Sequence, residues 1–148
     1  MSALYVVFNV GGADYILPAA DVLQMETFSG TTPVPGAPPY VAGIVQVRGR
    51  VVPVVDLRVR LGLPAISTTL DSRIVLVESG GRTVALLADS AREVVKVAPE
   101  QIHEPPSMMS GDGTDGFVKS VANVDKRLLM LLDFIKVIGE DSTHVSER

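Results

Sequence analysis

The stretch Gly43-Ile44-Val45-Gln46-Val47-Arg48-Gly49-Arg50-Val51-Val52-Pro53-Val54-Val55-Asp56-Leu57-Arg58 decides the fold. Two runs rich in valine and isoleucine flank Arg48-Gly49-Arg50. β-branched side chains pack well on a pleated surface, and glycine supplies the positive φ that a tight turn needs, so the stretch predicts a β-hairpin. Pro53 lies inside the second run. Proline cannot donate to a ladder, which predicts an edge strand or a bulge at that point. Asp56 stands where a carboxylate caps the next helical turn, Leu57 to Leu61, and Gly62 can end it.

Working outward, the same alternation of short apolar runs and turn residues recurs. Leu4–Val10 and Tyr15–Leu17 flank Gly11-Gly12-Ala13-Asp14, and Pro18 stops the second run. Asp21 can cap a helical turn, but the alternation of the following residues favours a strand near Val22–Phe28. Ser29–Pro39 carries four prolines and two glycines in eleven residues and predicts a loop. Pro64–Leu70 reads as a linker. Arg73–Glu78 and Thr83–Ala88 flank a Ser79–Arg82 turn, Arg92–Val97 alternates as a half-buried strand, and Ala98–Ile102 turns away. Phe117–Val124 and Arg127–Leu132 form a last hairpin around Asp125-Lys126, with Asp133 capping a turn that ends at Gly139. His103–Gly116 is polar and predicts a mobile tip. Roughly ten short strands with no long periodic helix point to a barrel or sandwich, not a parallel α/β sheet.

Composition narrows the chemistry. The 148 residues are 47% hydrophobic and 20% charged, with no Trp and no Cys. That length buries a core without staples. The missing cysteines exclude disulfides, thiolate catalysis and Cys-ligated metals. A net charge of −4 argues against a wholly basic nucleic-acid face. No signal peptide and no apolar run of about 20 residues is seen, so a soluble protein inside the cell is expected. His103 and His144 lack metal-ligand spacing. Asp112–Gly116 lacks the spaced acids and closing Glu of a calcium loop.

The opening stretch resembles the CheW family signature G-(I/V)-x-N-L-R-G-x-(I/V)-(I/V)-P-(I/V)-(I/V)-D-L-R. Arg48, Gly49, Pro53, Asp56, Leu57 and Arg58 match; Gln46 replaces Asn and Val47 replaces Leu. Pro39-Tyr40-Val41, Arg60-Leu61-Gly62, Val84–Val97, Ala98–Ile102 and Leu128–Phe134 extend the likeness over nearly the whole chain. The resemblance implies an all-β fold of two SH3-like five-stranded β-barrels with short helices. Residues 1–139 would form the CheW-like domain, in subdomains of roughly 1–66 and 67–139 with strands open to exchange, and 140–148 a disordered tail.

It further implies a non-catalytic adaptor without cofactor or metal. Such an adaptor couples the cytoplasmic tip of methyl-accepting chemoreceptors to the regulatory barrel domain of a CheA-type histidine kinase. It would be cytoplasmic, recruited to receptor arrays at the inner membrane, with neither nucleic acid bound nor direct membrane insertion.

The residues expected to face partners are Arg48, Gly49, Val47, Val45, Gln24 and Glu26. Arg48 falls on the signature arginine, and its planar fork suits carboxylates or backbone carbonyls. Gly49 serves structure or binding equally well. Val45, Val47, Val54 and Leu61 are core by default, although some can form an exposed apolar patch. Relatives often carry an acid where Gln24 stands, and Glu26 is the nearest acid here. Asp56 reads as a helix cap paired with an arginine, not as a general base. Three alternatives remain: a scaffold of a related pathway serving twitching, surface sensing or development; an enzyme, for which no nucleophile elbow or phosphate loop is found; and a nucleic-acid-binding barrel, which needs a basic groove with stacking aromatics.

Overall fold

A computed structural model describes residues 1–106 and 116–139. Of the expected tip, His103–Gly116, residues 107–115 lie outside the described residues, as does the expected tail, 140–148, while His103 belongs to a two-residue strand. Two sheets account for nearly all regular structure. The first has the order β8-β1-β2-β11-β10-β9 and the second β3-β6-β7-β5-β4. The first sheet contains β1 (Ala3–Val10), β2 (Ala13–Pro18), β8 (Ser90–Val97), β9 (Ile102–His103), β10 (Val118–Val124) and β11 (Arg127–Leu132). The second contains β3 (Val22–Thr27), β4 (Val41–Val47), β5 (Arg50–Asp56), β6 (Arg73–Ser79) and β7 (Arg82–Ala88). Each sheet thus has five full strands, the first adding the two-residue β9. Each also takes strands from both halves of the chain. A short helix α1 (Leu57–Arg60) follows β5, and a closing helix covers residues 134–139.

Three apolar clusters explain the composition. Tyr5, Val7, Ile16 and Leu129 pack on one face of the first sheet. Val52, Val54, Ile74, Leu76 and Leu87 pack on one face of the second. Between the sheets lie Phe8, Val10, Leu17, Val55, Val75, Val77 and Leu86. In β6, Ile74 and Leu76 turn to one cluster while Val75 and Val77 turn to another. A strand buried on both faces reads as a continuous apolar run, which is why Ile74–Val77 shows no alternation. Each fully buried Leu or Val contributes about 1.5–3 kcal/mol.

Local chemistry matches these elements. Gly11-Gly12, Arg48-Gly49, Gly80-Gly81 and Asp125-Lys126 each place two residues at positive φ, as two-residue hairpins require. Asp56 caps α1: its Oδ1 accepts from Arg58 N at 2.9 Å and Val59 N at 3.5 Å. Its Oδ2 accepts from Ile66 N at 3.1 Å. The carboxylate is buried and occupied by backbone donors, which is a structural task.

Three expectations need correction. Pro53 lies neither on an edge strand nor at a bulge, because β5 sits between β4 and β7. The fold tolerates it because β7 pairs only with Val54–Asp56, and the bulge in this hairpin is in β4, between Val41 and Gly43. The arginine expected beside Asp56 goes elsewhere: Arg58 Nε bonds Asp89 Oδ1 at 2.8 Å. Asp21 does not cap a helical turn. It ends a 3-10 turn (Ala19–Asp21) whose N-cap is Pro18.

Candidate functional site

The second sheet curls so that its two outer strands approach one another. Thr32 N donates to Ile44 O and Ile44 N to Thr32 O, both at 2.9 Å, joining the segment after β3 to β4. Thr31 Oγ1 donates to Ala42 O at 3.0 Å. Gly43, at φ +146, is what permits this approach, since a Cβ there would collide with Thr32 O.

Beyond this junction opens a cleft of about 530 Å³ lined by Glu26, Phe28, Thr31, Val45, Val47 and Arg48, among others. Arg48 holds the first turn position at φ +52, with Gly49 at +81. The Arg48 side chain is 77% exposed, and its Nη2 lies 4.0 Å from Glu26 Oε2. Gln24 Nε2 donates to that same oxygen at 2.6 Å. At this distance and exposure the ion pair contributes at most about 1 kcal/mol, so Arg48 is only loosely held.

All six residues expected at the site fall in this neighbourhood. Glu26, Val45, Val47 and Arg48 line the cleft, Gln24 is hydrogen-bonded to Glu26, and Gly49 completes the turn. Val45 and Val47 are half-buried against the core of the second sheet while lining the cleft, so they belong both to that core and to the cleft wall.

Two further features were not anticipated. The first is on β3, where Leu23 (52% exposed) and Met25 (39%) face outward while Gln24 and Glu26 are half-buried. The bulge between Val22 and Gln24 produces this inversion. Met25 pairs with Val75, a residue of the inter-sheet core, so Met25 stands at the rim between the sheets. The second is an apolar groove of about 370 Å³ on the other side of the β4–β5 hairpin. Its lining includes Val34, Pro38, Val51, Pro53 and Ile138, with Arg50 and Arg82 also present. Val51 is 66% exposed. The apolar run Val51-Val52 was a signal for this groove, but not for which valine faces out.

No group of three or more His, Cys, Asp or Glu side chains among the described residues could hold a metal ion. No helix among them is long and apolar enough to cross a membrane.

Comparison with known proteins identifies the scaffold. The family model for the CheW-like domain matches residues 4–142. Chemotaxis protein CheW of Bacillus subtilis is 33% identical over 138 residues, covering 93% of this chain and 88% of that protein. Protein FrzA of Myxococcus xanthus is 26% identical, covering 88% and 82% of the two chains. The crystal structure of the scaffolding protein TtCheW from Thermoanaerobacter tengcongensis superposes with a TM-score of 0.81 at 30% identity, covering 90% of each chain. On the family match and the B. subtilis relative together, this chain belongs to the CheW-like family.

Proposed function

We propose that the chain is a non-catalytic adaptor in bacterial chemosensory signalling, coupling the cytoplasmic tip of methyl-accepting chemoreceptors to a CheA-type histidine kinase. The observation that carries this reading is the convergence of Arg48, Gln24, Glu26, Val45 and Val47 on one open cleft. An exposed, loosely paired guanidinium over a mostly polar cleft, with Val45 and Val47 in its wall, suits a protein partner, since Arg is favoured at interface anchors. In this reading residues 1–139 act as one CheW-like unit, subdomains of roughly 1–66 and 67–139 exchange strands, and the receptor tip lies in the groove between the sheets. Leu23 and Met25 support that contact. The regulatory barrel domain of the kinase meets the chain end to end, and the apolar groove at Val51 supports it. The protein would be cytoplasmic and recruited to receptor arrays at the inner membrane.

The test is Arg48→Glu. Calorimetry against a receptor-tip fragment and against the kinase regulatory domain is expected to show at least about a tenfold loss for one of them, with an unchanged melting temperature. Affinity for both partners unchanged from the unsubstituted chain would reject the site. A second reading keeps the scaffold and changes the pathway: one relative, Protein FrzA, is not named for chemotaxis.

A further inference from the structure

The closing helix, residues 134–139, is too short to hold itself, because fewer than two turns do not recover the cost of nucleation. Its end carbonyls also need partners. Arg60, in α1, supplies them: Nε donates to Val137 O at 2.7 Å and Nη2 to Lys136 O at 3.3 Å. The guanidinium lies 4.0 Å from the Tyr40 ring centroid and 5.0 Å from that of Phe117. A Cβ on Gly139, at φ +77, would sit 3.0 Å from Arg60 Nη2 and 3.3 Å from Tyr40 Oη. Four chain segments therefore meet at one cation. Between Val137 and Gly139 stands Ile138, which is 4% exposed and lines the apolar groove. Arg60 does not line that groove.

We propose that Arg60 is a positioning residue for the groove. It clamps the closing helix so that Ile138 completes the groove floor, and it sets affinity for the partner barrel without touching it. The second half rests on the kinase contact proposed above. The clamp needs arginine: a planar fork reaches two carbonyls while its faces stack on two rings, and lysine offers a point charge with neither property.

The experiment uses the full chain carrying Arg60→Ala, Arg60→Lys, Ile138→Ala and the Arg60→Ala/Ile138→Ala double substitution. Hydrogen exchange of the free protein is expected to quicken about tenfold over residues 134–139 in Arg60→Ala and Arg60→Lys alike, with the strands unaffected. Affinity for the regulatory domain of a CheA-type kinase should fall about tenfold in Arg60→Ala, and the double variant should be no weaker than either single one, because coupled residues are not additive. Affinity for a receptor-tip fragment should not change. Unaltered exchange in Arg60→Ala overturns the clamp. Additive losses with Ile138→Ala, or equal losses for both partners, overturn the action through Ile138. A wild-type chain that binds no kinase domain overturns the kinase reading and the affinity role with it, while quickened exchange still establishes the clamp.

Discussion

On one side of the β4–β5 hairpin lies a largely polar cleft whose charged groups are Arg48 and Glu26, with Gln24 bonded to Glu26 beside it. On the other lies a groove lined by Val51, Pro53 and Ile138, with Arg50 and Arg82 beside them. Ile44 touches both. On the function proposed above, the difference lets one small hairpin offer two partners unlike surfaces. An exposed charge over a cleft governs orientation and rate of encounter, whereas apolar anchors that desolvate supply most of the affinity. The two surfaces share a backbone and little else, so substitutions can break both, neither or one.

Gly43 is the position that breaks both. Gly43→Ala forces an L side chain into φ +146 and against Thr32 O, at the bridge that joins the segment after β3 to β4. Strain and lost hydrogen bonds together should cost about 3 kcal/mol or more. Urea denaturation of the variant is expected to show that drop, with cleft and groove binding lost together. A stable variant that loses only one partner would show the two surfaces to be independent of this junction.

Asp89 provides a control away from both. Burial alone would raise its pKa, but the Arg58 guanidinium and the Gly11 N–H at 2.7 Å outweigh burial and hold the carboxyl below its ordinary value. A folded-state pKa below the unfolded one gives stability that is present above the unfolded value and lost as pH falls through the folded one. Stability measured by urea should therefore decline as pH drops below about 4, and Asp89→Asn should flatten that decline. The same substitution should cost about 1–2 kcal/mol at neutral pH, in line with hydrogen bonds to a charged group, while both partners still bind.

Val51 separates the surfaces. With 66% of its surface exposed it adds little to the core, so Val51→Asp should change stability by no more than about 0.5 kcal/mol. Its expected effect is about a tenfold loss of kinase-domain affinity, with receptor-tip affinity retained. Equal loss for both partners would merge the two surfaces into one.

The hairpins, their turns and the Asp56 cap could be read from the sequence, because each is fixed by residues within a few positions. The neighbourhood of Arg48 could also be read, since the signature named Arg48 and Gly49 and the strand before it named Val45 and Val47. What escaped depends on distant chain. Pro53 suggested an edge or a bulge, but only the β7 register reveals that β7 pairs from Val54 onward and asks no donor of Pro53. Leu23 and Met25 face out because of a bulge that alternation cannot reveal. Arg60 was read only as part of the family-like stretch, and its carbonyl partners lie 76 and 77 residues further along the chain.

The smallest effect sharpens the comparison most. Arg48 occupies φ +52, a conformation that long side chains adopt at a cost and that Asn tolerates. Its ion pair with Glu26 is long and exposed, and returns little. Arg48→Asn should therefore stabilise the chain by up to about 1 kcal/mol. It should also weaken the partner that reads the cleft and leave the groove's partner untouched. A gain in stability with a loss of binding is the signature of a residue kept for contact, not for the turn. If Arg48→Asn lost stability instead, Arg48 would belong to the turn's own architecture, and the cleft would lose its strongest claim to a partner.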